Sequence, residues 1–345
     1  MFSYFSGSSS SGPSIMEMSG PMPCSVNAKH RIPASSAPVI MDLSSVPVIM
    51  DFTGTYGEQP FARAGNFNWL DCRGIHGTDC YCDEEGEAAL RELIAAFSPY
   101  SLHFLDSGNC HYLTKLWTDR IHEPFSLVLF DHHTDMQPPM FEGLLSCGGW
   151  VKKMLDTNPF LRKVMIAGVP ESEAVKVRSE RVLAISEEEW MASGLRAFEP
   201  VPALFCEGQS AGGQSASRQS VGAQSVGVQF TGAQSSGVQS VGMQSLSGYG
   251  TCDSEDIQSS GIPIYISVDK DVLSKDFAST NWDQGGLTLE LLSGAISMLF
   301  DRFNVIGMDV CGEPDSSDVL FSDKACMLNS AANERLLAMW QGLGR

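Results

Sequence analysis

Runs of apolar, β-rich residues alternate along this chain with segments of helical periodicity, and this alternation narrows the possible folds more than any other feature. The apolar runs are continuous, which is typical of strands buried on both faces of a parallel sheet. We therefore predict an α/β fold, a three-layer α/β/α sandwich with a mainly parallel sheet. The predicted strands are 47–51, 101–105, 125–130, 163–167, 182–185, 263–268 and 304–310, and the predicted helices are 83–97, 149–156, 187–193, 288–302 and 328–341.

Two segments do not fit the alternation. Residues 1–46 are rich in Ser, Gly and Pro, and we predict that they form a disordered tail. Residues 207–250 consist largely of five-residue units such as RQSVG and AQSVG, which are too short and too polar to bury a continuous core. We predict a flexible insertion within one domain that spans 47–345, with a small β-solenoid turn as the second interpretation.

Composition excludes some classes of function. The chain has 22 Lys and Arg against 41 Asp and Glu, a net charge of −19, so nucleic acid is not an expected partner. A small cationic substrate is compatible with this charge. The sequence contains no apolar stretch long enough to span a membrane and no secretory signal, so we expect a cytoplasmic protein without a membrane partner. We expect the 10 cysteines to be reduced thiols.

Acidic and His residues follow three of the predicted strands. Strand 125–130 runs directly into Asp131-His132-His133-Thr134-Asp135, and strand 263–268 runs into Asp269-Lys270-Asp271. Strand 101–105 leads into a loop that ends at His111. Because ligands bind beyond the carboxyl ends of strands in open α/β sheets, we expect these residues to meet at one edge of the sheet.

Converging carboxylates would repel one another without compensating cations. Residues two apart in extended backbone point to the same side, so Asp131, His133 and Asp135 can face one centre, as can Asp269 and Asp271. A set rich in carboxylates suits Mn²⁺ better than a thiolate zinc site does. A lone Asp-x-Asp is usually a solvated loop or a helix cap. Here three clusters of acidic or His residues follow three strands in order, and this favours a site for two cations ~4 Å apart that activate a water.

At this point the sequence resembles the arginase, agmatinase and formiminoglutamase (ureohydrolase) family of the arginase–deacetylase superfamily. The loop 108–111 is similar to the family's first loop, which ends in a metal-binding His. Residues 131–135 match Asp-x-His-x-Asp, and residues 267–271, followed by Gly-Gly-Leu-Thr at 285–288, match Ser-x-Asp-x-Asp. Gly307-Met308-Asp309 resembles the last strand motif. The resemblance covers about 47–342, excluding the insertion, and implies an arginase-like fold.

The resemblance implies a metal set and a reaction. It assigns one Mn²⁺ to His111, Asp131, Asp135 and Asp269 and a second to Asp131, His133, Asp269 and Asp271. Asp131 and Asp269 then bridge the two ions, and we expect them to be catalytic. The implied enzyme is a hydrolase of non-peptide C–N bonds in guanidino, amidino or formimino substrates, in which a bridging hydroxide attacks and an amine leaves. Ureohydrolases assemble into trimers or hexamers, so the resemblance also implies a homo-oligomer.

The chain departs from the family around the substrate. The family's guanidinium-binding Glu corresponds to Gly312 here, and we expect Glu313, one residue later, to take over its catalytic and substrate-binding role through a bulge. Gln137 occupies the position of a substrate-binding polar residue. The loop 145–150 contains no His to match the family's proton shuttle, and Ser274 replaces an acidic residue of the signature.

Two other functions stay open at this stage. Deacetylases share the superfamily fold but use a single Zn²⁺, and the His132-His133 pair superficially resembles their acid–base pair. His111 and Asp135 favour two metals instead. The third possibility is a metal-binding protein that has lost catalysis, which the missing shuttle His supports. The metal count separates these alternatives, with two Mn per chain for the first and one Zn for the second.

Overall fold

The computed structural model describes residues 46–138, 141, 143–199, 201, 261–314 and 323–343. The predicted tail at 1–46, apart from its last residue, and the predicted insertion at 207–250 lie outside these residues. Ten strands are described: β1 Val48–Asp51, β2 Asn68–Asp71, β3 Tyr81–Cys82, β4 Leu102–Phe104, β5 Phe125–Phe130, β6 Leu145–Ser146, β7 Leu161–Val169, β8 Val182–Ser186, β9 Ile264–Asp269 and β10 Val305–Cys311.

Eight of these strands form one sheet in the order β2-β1-β4-β10-β9-β5-β7-β8, and every described pairing within it is parallel. Strands β3 and β6 form a separate antiparallel pair. The last two described strands, β9 and β10, lie between β4 and β5. Their position brings together the carboxyl ends of four strands that are far apart in sequence, namely β4, β10, β9 and β5. The predicted mainly parallel sheet is confirmed.

Eight α-helices are described: α1 Pro60–Ala64, α2 Glu84–Ile94, α3 Leu113–Thr118, α4 Trp150–Thr157, α5 Glu171–Val177, α6 Glu187–Ser193, α7 Leu289–Arg302 and α8 Asp323–Gly342. Side-chain caps fix where several of them begin. The Asp83 carboxylate accepts from the Gly86 amide at the start of α2, and the Thr288 hydroxyl accepts from the Leu291 amide at the start of α7. Short 3₁₀ helices span Thr55–Glu58, Gly108–Cys110, Gly194–Phe198 and Lys270–Val272.

The hydrophobic core is divided between the two faces of the sheet. In β5, Val128 and Phe130 pack into one cluster, while Leu127 and Leu129 pack into the other. Helices α1, α6, α7 and α8 contribute to the first cluster, and α2, α3, α4 and α5 contribute to the second. Helices therefore cover both faces, which confirms the predicted three-layer arrangement.

No helix within the described ranges is both long enough and apolar enough to cross a membrane.

Candidate metal centre

The structure brings six predicted ligands together at the carboxyl edge of the sheet. The first half of the centre surrounds His111, which follows the 3₁₀ turn after β4 and is buried. Its Nδ1 lies 3.2 Å from Asp131 Oδ2, 3.0 Å from Asp135 Oδ2 and 3.5 Å from Asp269 Oδ2. Three carboxylates from two strand ends therefore face one imidazole nitrogen.

The second half of the centre surrounds His133. Its Nδ1 lies 2.8 Å from Asp271 Oδ2 and 3.6 Å from Asp131 Oδ1. The two oxygens of Asp131 thus face different histidines, Oδ2 towards His111 and Oδ1 towards His133. Three groups of donor atoms, each within 4.8 Å of one another, result: His111, Asp131 and Asp135; Asp131, His133 and Asp271; and His111, Asp269 and Cys311.

Backbone amides hold the carboxylates in place. Asp131 accepts from the His133 amide at 2.6 Å, and Asp269 accepts from the Asp271 amide at 2.9 Å. The His132 amide, which follows β5, donates to Asp271, which follows the neighbouring strand β9, at 3.0 Å. These bonds form because both motifs turn sharply after their strands end, so that backbone N–H groups point back at the carboxylates.

Asp135 reaches the His111 side through an unusual backbone conformation. Its φ of 50° lies in the left-handed region, where few residues other than glycine occur. Its Oδ2 also accepts from Trp150 Nε1 at 2.5 Å, at the start of α4. Strand alternation suggested that Asp131, His133 and Asp135 face one centre. The structure instead distributes them over the two halves, because the chain leaves extended conformation after β5.

Burial opposes negative charge throughout the centre. It raises the pKa values of the Asp131, Asp269 and Asp271 carboxyls, the last to about 7, and neighbouring carboxylates raise them further. Burial also disfavours the charged form of His133, but hydrogen bonds with Asp131 and Asp271 outweigh it and raise that pKa to about 11. Without cations, the centre can balance its charge only by holding protons.

A chain of hydrogen bonds supports His111 from behind. Its Nε2 lies 3.0 Å from Ser267 Oγ, and that hydroxyl donates to Asp309 Oδ1 at 2.6 Å. All three side chains are buried. The chain fixes the ring so that Nδ1 faces the carboxylates, an arrangement common behind metal-binding histidines.

Three neighbours of the centre were not identified from the sequence. Trp150 holds Asp135, Trp282 borders the cavity in front of the centre, and the Cys311 thiol donates to Asp269 Oδ2 at 3.1 Å. A signal for Cys311 did exist. Asp309 and Cys311 are two apart in a strand, so both point to the face that also carries Ser267 and Asp269.

Glu313 lies outside the cavity, in a buried polar network. Lys270 Nζ donates to its Oε1, and Asn333 Nδ2 donates to the same oxygen at 2.6 Å. Gln59 Nε2 and Asn329 Nδ2 donate to Oε2 at 2.7 and 2.9 Å. The structure therefore places Glu313 in this network and not among the residues that line the cavity. The expected turn at Gly312 is present, with φ of 86°, but it directs Glu313 towards Lys270.

A cavity of about 220 Å³ opens in front of the metal-ligand candidates. Gln137, the predicted substrate-binding residue, lies in its wall beside Gly148. The lining outside the ligand set consists of Cys80, Tyr81, Gly108, Gln137, Ser146, Cys147, Gly148 and Trp282. The opening thus leads from the surface to the carboxylates.

The donor set fits divalent cations. Asp131 Oδ2 is buried and accepts no hydrogen bond of normal geometry within the described part of the chain. Such an atom is costly unless something else compensates it, and a cation at this point would do so. Four buried carboxylates and two imidazoles supply hard and borderline donors on both sides of Asp131.

Comparisons with known proteins agree with this fold. A sequence profile of the arginase family matches residues 111–313. An uncharacterised protein from Thermotoga maritima is 25% identical over 265 residues, which cover 77% of this chain and 78% of the relative.

Two solved structures are similar over most of their length. For formimidoylglutamase from Bacillus subtilis subsp. subtilis str. 168 the TM-score is 0.54 at 13% identity, with coverage of 90% of this chain and 96% of that one. For proclavaminate amidino hydrolase from Streptomyces clavuligerus the TM-score is 0.53 at 14% identity, with coverage of 86% and 91%. At these identities the similarity establishes the fold alone.

Proposed function

This chain belongs to the arginase family, and we propose that it is a hydrolase that uses two divalent cations to cleave a C–N bond. The proposed substrate is a small molecule with a guanidino, amidino or formimino group. The fold is shared with structures named formimidoylglutamase and proclavaminate amidino hydrolase, and we take the proposed substrate class from these names. We expect Mn²⁺ as the metal because carboxylates dominate the donor set.

One observation carries the proposal. Asp131 directs Oδ2 towards His111 and Oδ1 towards His133, so each oxygen of one carboxylate faces a different imidazole. A single-metal site needs only one of these halves. A carboxylate that divides its oxygens between two histidine-containing donor groups is suited to bridging two cations.

The ligand roles follow from the two halves of the centre. We assign His111 and Asp135 to one cation, His133 and Asp271 to the other, and Asp131 and Asp269 to both. When bound, the two cations would supply a water acidic enough to act as a nucleophile near neutral pH. The amides of His133 and Asp271 hold the two bridging carboxylates, so these residues keep the ligands oriented without further rearrangement.

The cavity wall orients the substrate in this proposal. Gln137 offers an amide that can both donate and accept, and it faces the space in front of the carboxylates. Trp282 and Tyr81 lie at the same opening and restrict the width of an entering substrate. We assign Glu313 a structural part, because Lys270, Gln59, Asn329 and Asn333 already occupy its carboxylate oxygens.

The first test is the metal content of the full chain. After Mn²⁺ loading and removal of free ion, we expect two Mn per chain by elemental analysis. Asp131→Ala should abolish both, whereas Asp276→Ala, an exposed acid close in sequence to Asp271, should retain both. Retention of two Mn by Asp131→Ala would contradict the bridging role. One Zn per chain with no second metal would favour the deacetylase-like alternative.

The second test is turnover by the Mn²⁺-loaded protein. Urea release should be measured with arginine, agmatine, guanidinobutyrate and free guanidine, and ammonia or formamide release with a formimino compound. We expect at least one substrate to be hydrolysed, with loss of activity in Asp131→Ala. A protein that retains two metals but hydrolyses none of them would contradict the proposed substrate class.

A further inference from the structure

We propose that Cys311 is an additional protein ligand of the cation on the His111 side and makes that position chemically softer than the His133 side. This inference rests on the two-cation centre proposed above and concerns one of its halves. Cys311 is absent from the metal set that the sequence motifs imply. If Cys311 binds, the two metal positions have different donor atoms and therefore prefer different metals.

The strand register places Cys311 beside a bridging ligand. Cys311 is the last residue of β10 and pairs with Asp269, the last residue of β9. Its sulfur lies 3.1 Å from Asp269 Oδ2, which is also the oxygen that faces His111 Nδ1 at 3.5 Å. The His111, Asp269 and Cys311 donor atoms all lie within 4.8 Å of one another, and all three residues are buried.

The local backbone is shaped to permit this approach. A Cβ added at Gly312 would lie 2.4 Å from Asp269 Oδ1 and 2.7 Å from the Lys270 nitrogen, so only glycine allows β10 to end this close to β9. The φ of 86° at Gly312 turns the next residue, Glu313, towards Lys270 and leaves the Cys311 side chain directed at the centre. Gly312 thus permits the close approach of β10 to β9 that places the Cys311 thiol beside Asp269.

A buried cysteine is more often a small hydrophobic residue than a ligand. Cys72 fits that description, because its thiol contacts the backbone oxygen of Leu70 within an apolar cluster. Cys311 differs because its sulfur faces a carboxylate and an imidazole. On the same side, Asp131 Oδ2 faces His111 Nδ1 at 3.2 Å but accepts no hydrogen bond of normal geometry within the described part of the chain, which is an independent indication that a cation belongs there.

Binding follows ordinary thiol chemistry. The S–H bond of Cys311 breaks, its proton passes to solvent, and the sulfur donates its electron pair to the cation in a new bond. Thiolate sulfur favours Zn²⁺ and similar borderline ions over Mn²⁺, whereas a donor set dominated by carboxylates suits Mn²⁺. We therefore expect the His111 side to prefer Zn²⁺ or Co²⁺, and the His133 side to accept Mn²⁺.

Cobalt provides a direct spectroscopic test with the full chain. Co²⁺ bound by a thiolate shows an intense near-ultraviolet charge-transfer band, whereas oxygen and nitrogen donors give only weak visible bands. We expect this band in the wild-type protein loaded with two Co²⁺, and its loss in Cys311→Ser. The matched control is Cys147→Ser, since that thiol lines the same cavity but is absent from the donor groups. This control should keep the band.

Metal competition gives a second measurement. Loss of an outer-shell partner lowers metal affinity by about 10- to 100-fold, and loss of a direct donor should lower Zn²⁺ affinity at least as much. We expect the ratio of Zn²⁺ to Mn²⁺ affinity on the His111 side to fall at least about tenfold in Cys311→Ser. Cys311→Asp, which replaces sulfur by oxygen, should bind two cations without the charge-transfer band, and it tests the proposal if the Ser variant does not fold.

The outcomes separate this inference from the function on which it rests. Two bound Co²⁺ with no thiolate band, or a band that survives in Cys311→Ser, would overturn the role of Cys311 and leave the two-cation centre intact. Failure of the wild-type protein to bind cobalt, zinc or manganese would contradict the centre itself. A band lost only in Cys311→Ser and Cys311→Asp supports the proposal.

Discussion

The Lys270 ammonium and the Glu313 carboxylate form an ion pair in which both side chains are completely buried. Lys270 stands between two metal-ligand candidates, Asp269 and Asp271, and its side chain reaches the opposite way, into the network around Glu313. The pair therefore connects the end of β9 with the end of β10 directly behind the centre. Removal of one partner leaves an uncompensated buried charge, whereas removal of both leaves none.

Two single variants and one double variant should reveal how far each buried charge depends on the other for stability. We expect Lys270→Met and Glu313→Gln each to lower the free energy of unfolding by about 3–5 kcal/mol, and the double variant to lower it by much less than the sum. Urea unfolding of the metal-free protein measures this quantity. Additive losses in the double variant would mean that the two charges do not stabilise each other.

The hydrogen-bond chain behind His111 predicts an effect on metal affinity. Asp309→Asn keeps the shape of the side chain but removes the charge that accepts from Ser267. We expect the affinity of the His111-side cation to fall by about 10- to 100-fold, with a smaller effect on the His133 side. Titration with Mn²⁺ or Zn²⁺ checks this, and the exposed Asp276→Asn serves as the matched control. Equal loss at both positions would indicate a general structural defect instead.

Much of the fold could be predicted from the sequence because the buried parallel strands are continuous apolar runs. The strand predicted at 125–130 coincides with β5, and the helix predicted at 187–193 coincides with α6. Elements without a clear pattern were missed. All six residues of α3, including Lys115, are buried, so the helix shows no polar face, and β2 is a short edge strand with Asn and Asp at its ends.

The candidate site was predictable to the extent that it follows strand ends in sequence. His111, Asp131 and Asp269 could be placed at one edge because parallel strands end on the same side. The contacts of Cys311 and Glu313 depend instead on how β10 lies against β9 and on the turn at Gly312. Such register and backbone geometry are tertiary properties, and no local pattern encodes them.

Gly312 gives a third prediction. A methyl group at this position meets Asp269 Oδ1 and the Lys270 backbone within 3 Å, and the left-handed φ disfavours any residue with a Cβ. We expect Gly312→Ala to lower the free energy of unfolding by about 2–5 kcal/mol and to weaken metal binding on the His111 side. Gly57→Ala is the control, since nothing lies within 4 Å of its added Cβ. Equal effects of the two substitutions would show that Gly312 is not constrained as described.

The last prediction concerns acid stability and His103, which is buried away from the metal-ligand candidates. Its ring stacks on Trp117 with centroids 3.8 Å apart. Nε2 lies 2.9 Å from the Ser98 carbonyl oxygen, and Nδ1 lies 3.1 Å from the Tyr265 hydroxyl. A neutral ring with the proton on Nε2 satisfies both contacts. Burial disfavours the charged form and lowers the pKa of His103 to about 3.

The sign of the pH effect follows from the proton count. Between the unfolded pKa of about 6.5 and the folded pKa of about 3, the unfolded chain binds a proton at His103 that the folded chain does not. Stability is therefore fully present above pH 6.5 and is lost as the pH falls through this window. From pH 7 to pH 5 we expect His103 alone to remove about 2 kcal/mol from the free energy of unfolding.

Denaturant unfolding of the metal-free protein at the two pH values tests this. His103→Gln retains a donor and an acceptor but no titration, so its loss between pH 7 and pH 5 should be smaller than that of the wild type by about 2 kcal/mol. The exposed His122→Gln is the matched control and should lose as much as the wild type. If His103→Gln loses stability as steeply as the wild type, the buried imidazole is not the group responsible for the acid sensitivity.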